Sequence, residues 1–116
     1  MKKNTKNFGS LTVFFFKEKA KFVSVCLELD IIKEGDNLDD VRKEMQESIS
    51  GYIETVCKGN YSDDLLNRPA PKKYWDKYSE FLRFLKEKQK QKEVAAKNTT
   101  RGIETSVMDM KELCAV

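Results

Sequence analysis

The sequence contains no histidine, and its three cysteines, Cys26, Cys57 and Cys114, show no CxxC spacing. Zinc sites are built from clustered cysteine and histidine, and proton transfer near neutral pH most often uses histidine. No metal centre is therefore expected, and no imidazole is available as a general base. The phosphate-cradling patterns G-x-G-x-x-G and G-x-x-x-x-G-K are missing, as is the nucleophile elbow G-x-S-x-G. Long hydrophobic runs are missing too. The apolar stretch Leu11 to Phe16 is far too short to span a membrane and has no small-residue cleavage site after it. A cytoplasmic location with free thiols is the simplest expectation, with Cys26, inside an apolar run, as a small buried hydrophobe.

What is present suits one modest domain. The 116 residues are 40% hydrophobic and 35% charged, enough for a single core, though not every segment can join it. The formal net charge of +3 is small but unevenly placed. From Cys26 to Thr55 nine acids face three bases, a net of −6, and from Pro71 to Lys97 nine bases face four acids, a net of +5. Such asymmetry can steer a charged partner or draw neighbouring copies together, although two solvated helix faces would give the same pattern.

Residues 1–10 are polar and basic and read as a flexible leader. Leu11 to Lys17 (LTVFFFK) and Lys21 to Leu29 (KFVSVCLEL) are rich in β-branched and aromatic residues and predict an antiparallel hairpin, with the short run Asp30 to Gly35 as a third strand. A helix should start at Leu38, because Asn37 can cap it and Asp39 and Asp40 fall in its first turn. Its apolar residues Leu38, Val41, Met45, Ile49, Tyr52, Ile53 and Val56 recur at three and four, which predicts one buried stripe. Gly51 inside that helix suggests close approach of another element. After a linker turn, a second helix carries Tyr74, Trp75, Tyr78, Phe81, Leu82 and Leu85 on one face and fades by Glu93. Ile103, Val107, Met110 and Cys114 fall at helical spacing, but so sparse a pattern arises easily by chance. Residues 94–116 are therefore expected to be a disordered tail. The domain reading is thus a leader 1–10, a β-β-β-α domain 11–60, a linker and aromatic, basic helix 61–93, and the tail.

Two constellations could carry function. Glu28, Asp30, Glu34 and Asp36 form an acidic group that could meet a partner; as a catalytic or metal site it is poorly placed, since helix capping and solubility already account for acids crowded into one strand and one helix start. The face formed by Tyr74, Trp75, Tyr78, Phe81, Leu82 and Leu85 must dock on the sheet or on a second copy. Nucleic-acid stacking on that helix is the weaker reading, because Asp76, Glu80 and Glu87 interrupt its bases and would repel phosphate. A binding protein, and no enzyme, is expected, with no cofactor.

Within this frame, Phe22 to Val56 resembles the HicB-like antitoxin domain. The matching features are an aromatic-led strand, Cys26 ahead of Glu28 and Leu29, and Gly35 and Asp36 ahead of the capped helix at Asn37 and Leu38, with Tyr52 near its end. The resemblance implies an α+β fold of the reduced RNase H-like kind, a three-stranded antiparallel sheet on one helix. A long C-terminal helix and the disordered tail would follow. It further implies an antitoxin that occludes the active site of a small HicA-like ribonuclease toxin. Leu27 stands where the family usually has proline, and no helix-turn-helix or ribbon-helix-helix module is visible, so DNA is not an expected partner. A homodimer is expected, since three strands cover little of the aromatic helix. The alternatives are an orphan scaffold or regulatory protein that lacks a toxin, and nucleic-acid binding through the basic helix.

Overall fold

A computed structural model describes residues 3–90 and 102–114. The elements are β1 (Ser10–Glu18), β2 (Lys21–Cys26), β3 (Ile31–Gly35), α1 (Leu38–Lys58), a 3-10 turn (Asp63–Leu66), α2 (Lys72–Lys90), β4 (Gly102–Asp109) and α3 (Met110–Cys114). All strand pairs are antiparallel and the sheet order is β3-β2-β1-β4.

The expected three-stranded sheet on one helix is therefore overturned on two counts: the sheet has four strands, and helices cover both of its faces. Strand β1 explains both. Its side chains alternate, with Leu11, Val13 and Phe15 on one face and Phe14 and Phe16 on the other, and all five are buried. A strand apolar on both faces needs cover above and below. Leu11, Val13 and Phe15 pack with Cys26, Val41, Met45, Ile49, Ile53 and Met110 under α1. Phe14 and Phe16 join Val23, Val25, Leu27 and Phe81 under α2. Each such buried Phe, Leu or Ile is worth roughly 1.5–3 kcal/mol relative to an exposed one.

The long aromatic helix exists, but it is not the last element, and the expected disordered tail is corrected over residues 102–114. There the chain forms β4, which pairs along β1 from Ser10 opposite Asp109 to Phe16 opposite Gly102, with a bulge at Phe15 and Phe16. Helix α3 follows, with Met110 fully buried and its N–H donating to Gly9 O at 3.0 Å. Residues 94–101 and 115–116 of that expected tail lie outside the described residues. The strand escapes a reading by composition because its inward face carries Glu104, Ser106 and Met108, only one of them apolar. Position beside β1 supplies the pairing that its side chains do not advertise.

Local features fix the ends of the elements. Asn37 is extended, and its side chain accepts from Asp40 N at 3.1 Å, which starts α1 at Leu38. Gly51 meets no heavy atom within 4 Å of where a Cβ would stand, so the close approach expected there does not occur. Gly9, at φ 111°, is required: a side chain would collide with Asn4 Oδ1. Asn4 is itself buried. Its side chain accepts from Ser10 N at 2.9 Å and donates to Leu66 O at 3.2 Å, and its backbone exchanges two hydrogen bonds with the Asn67 side chain. The N-terminal arm is thereby pinned against the segment after the 3-10 turn.

The expectation of three free thiols is also corrected. Cys57 near the end of α1 and Cys114 at the end of α3 are joined by a disulfide, with Cα atoms 5.8 Å apart. An odd cysteine count permits a pair but does not name it; only the return of the chain through β4 brings these two together. Cys26 is buried and free, and desolvation pushes its thiol up to about 12, as expected of a cysteine that serves as core.

Candidate functional site

The four acids Glu28, Asp30, Glu34 and Asp36 do not converge. Glu28 and Asp30 lie in the turn between β2 and β3, Glu34 and Asp36 at the other end of β3, about 13 Å away along the strand. Asp30 takes the left-handed conformation, at φ 57°, that closes the turn. Asp36 pairs with Lys21 Nζ at 3.0 Å on the exposed surface. Glu28 alone turns inward. Its carboxylate accepts from Thr12 N at 2.6 Å and from Thr12 Oγ1 at 2.9 Å, extending the β1–β2 ladder by a side chain where β2 has ended. Burial raises its pKa above the ordinary value, and the hydrogen bonds from Thr12 offset part of that rise. Among the described residues no cation pairs with it.

The α2 face divides in two. Phe81 is buried, and Tyr74, Trp75 and Tyr78 are half-buried against the sheet. Ring centroids lie 5.5 Å apart for Phe14 and Tyr78, 5.4 Å for Phe14 and Phe81, and 6.3 Å for Phe16 and Tyr74. The rings of Tyr74, Tyr78 and Phe81 are occupied by the chain's own sheet. Leu82 and Leu85 are 42% and 37% exposed and remain on the surface.

Two further surfaces come from tertiary placement. The first is a cleft of about 590 Å³ between the N-terminal arm, the β2–β3 turn, the segment after the 3-10 turn and the start of α2; Glu28, Trp75, Pro69 and Phe8 are in its wall. The second is the outer edge of β4, which has no neighbouring strand among the described residues. Thr105 and Val107 lie opposite Phe14 and Thr12, on the α2 side of the sheet, and Val107 is 62% exposed. On the other side, Glu104 is held by the forked guanidinium of Arg42 from α1, which fastens β4 down. Neither surface is legible in the sequence: the cleft assembles residues from four separate segments, and the composition of residues 102–109 suggests a tail.

Among the described residues no group of three or more acidic, cysteine or histidine side chains could hold a metal ion, and no helix is long and apolar enough to cross a membrane. No protein-family model, no curated protein and no solved structure matches this chain.

Proposed function

We propose that this chain is a protein-binding module that works as an antitoxin of the HicB-like kind, capturing a small HicA-like ribonuclease. The observation that supports a binding role is the outer edge of β4, eight residues long and without a neighbouring strand among the described residues, with Val107 and Ile103 exposed. Unpaired edge strands invite another chain unless they are short or charged. The opposite edge, β3, has five residues and carries Lys33 and Glu34 in its middle, whereas the α2 side of β4 has a single charge, Asp109, at its last residue. The toxin as partner rests on the resemblance of residues 22–56 alone. The test is co-expression with a small basic ribonuclease encoded beside this chain. Co-purification that Val107→Lys abolishes is expected; a wild-type chain that never co-purifies with that neighbour overturns the antitoxin reading, and absence of such a neighbour leaves the orphan scaffold in its place.

A homodimer is a second reading with its own observation. If β4 pairs with β4 of a second copy about a two-fold axis at Thr105, each Ile103 stands opposite a Val107 on one face, and Thr105 stands opposite itself. Light scattering at micromolar concentration should give twice the chain mass, and Val107→Lys should return it to one; wild-type protein that is monomeric throughout removes this reading. Nucleic-acid binding through α2 has less support, because the aromatic rings that would stack on bases are packed on the sheet. A cytoplasmic location belongs to the antitoxin reading and conflicts with the Cys57–Cys114 disulfide. Thiol labelling of protein quenched directly from cells decides between them: both cysteines labelled supports the cytoplasm, both protected opposes it.

A further inference from the structure

We infer that the cleft beneath the N-terminal arm is a binding site for a small organic ammonium compound, its charge held by Glu28 and its apolar body lying against Trp75, Pro69 and Phe8. Glu28 brings an unbalanced charge to the cleft. Carboxylates withdrawn from water are normally paired with a cation, because desolvation costs more than neutral hydrogen bonds return. Glu28 is half-buried and receives only neutral donors, the N–H and O–H of Thr12, one on each oxygen, and its own backbone N–H. A carboxylate has about four acceptor positions, so room for a further donor remains.

The remaining wall sets the kind of donor. Tryptophan and phenylalanine attract cations at their ring faces, and a carboxylate set among aromatic and proline surfaces recognises an ammonium carried on hydrocarbon. The amide groups nearby are already committed: Asn4 and Asn67 spend their hydrogen bonds on each other, on Ser10 and on the 3-10 turn. They hold the walls in place and leave recognition to Glu28. Lys3 also borders the cleft but is exposed, so solvent screens its charge. At about 590 Å³ the cleft falls in the range that takes small organic ligands.

Trp75 is the only tryptophan in the chain, so intrinsic fluorescence reports on this wall alone. The probe is phenethylammonium, titrated into the full chain beside its neutral counterpart 2-phenylethanol. The ammonium should change Trp75 emission saturably at millimolar concentration or below, and the alcohol should bind at least about ten-fold more weakly, as expected for loss of a charge-assisted hydrogen bond. Glu28→Gln keeps an acceptor for Thr12 and should lose about ten-fold in affinity for the ammonium while retaining the thermal unfolding midpoint within a few degrees. Equal binding of the two probes to wild-type protein overturns the inference, whether or not the variant folds. So does an unsaturable response, or a folded Glu28→Gln that binds phenethylammonium as tightly as wild type.

Discussion

At Gly51 the helix α1 carries a residue that neither packing nor backbone geometry requires. Its φ is helical, and a methyl group there would enter open space. Gly51→Ala should therefore raise stability by about 1 kcal/mol through helix propensity, read as a higher denaturant midpoint with an unchanged slope. Glu28 gives a prediction in pH. Its folded pKa lies above its ordinary value of 4.5, so between those two values the folded chain holds more proton than the unfolded chain. The stability contributed by Glu28 is then greatest below 4.5 and declines as pH rises through the folded value. The unfolding free energy of Glu28→Gln minus that of wild type should accordingly increase between about pH 4 and pH 7. A difference that is flat or falls with pH would mean that the hydrogen bonds from Thr12, and not burial, dominate the site. Neither residue role was legible in order: Gly51 suggested a neighbour that is absent, and Glu28 looked like one of four equivalent surface acids. Thr12, the residue that singles Glu28 out, lies 16 positions earlier on another strand.

Among the elements, α1 was the most legible and β4 the least. Helix α1 carries its own start signal at Asn37 and a stripe of large apolar residues at a helical period, and both act within one segment. Helix α2 was legible as a helix, and its aromatic face as a docking face, but the choice between its own sheet and a second copy lay outside the segment. The sheet takes Phe81, the only buried residue among Tyr74, Trp75, Tyr78, Phe81, Leu82 and Leu85. Phe81→Ala should destabilise the chain by about 3–5 kcal/mol and loosen the packing of Tyr74 and Tyr78 against β1, visible as a drop in near-ultraviolet circular dichroism. Leu82→Ala, at an exposed position one residue on, should stay within about 0.5 kcal/mol of wild type. Strand β4 has no comparable signature because its period-two pattern holds one large apolar residue on the inner face, and its spacing of Ile103 to Val107 mimics a helix.

For the whole molecule, the last segment closes the fold. Strand β4 completes the sheet beside β1, Arg42 holds it at Glu104, Met110 enters the α1 core, and Cys114 is bonded to Cys57 across a sequence separation of 57. Closing a loop of that length removes unfolded-state entropy worth about 4 kcal/mol. Reduction, or Cys57→Ser with Cys114→Ser, should lower the unfolding free energy by up to about that amount, whereas Cys26 should resist alkylation under native conditions in both states. Equal denaturation midpoints for oxidised and reduced protein would show that the reduced unfolded chain is already constrained.

The sequence by itself determined the features that depend on neighbours within a few residues: the capped start of α1, the hairpin of β1 and β2, and the helical period of α2. Its charge, its lack of histidine and its short apolar runs likewise needed no structure to be read. Tertiary structure alone decided the fourth strand, the cover on both faces of the sheet, the Cys57–Cys114 pair, the inward turn of Glu28 and the cleft around it. Each of these joins residues distant along the chain. Local periodicity reports which side of an element avoids water, but it does not report which distant element provides the cover.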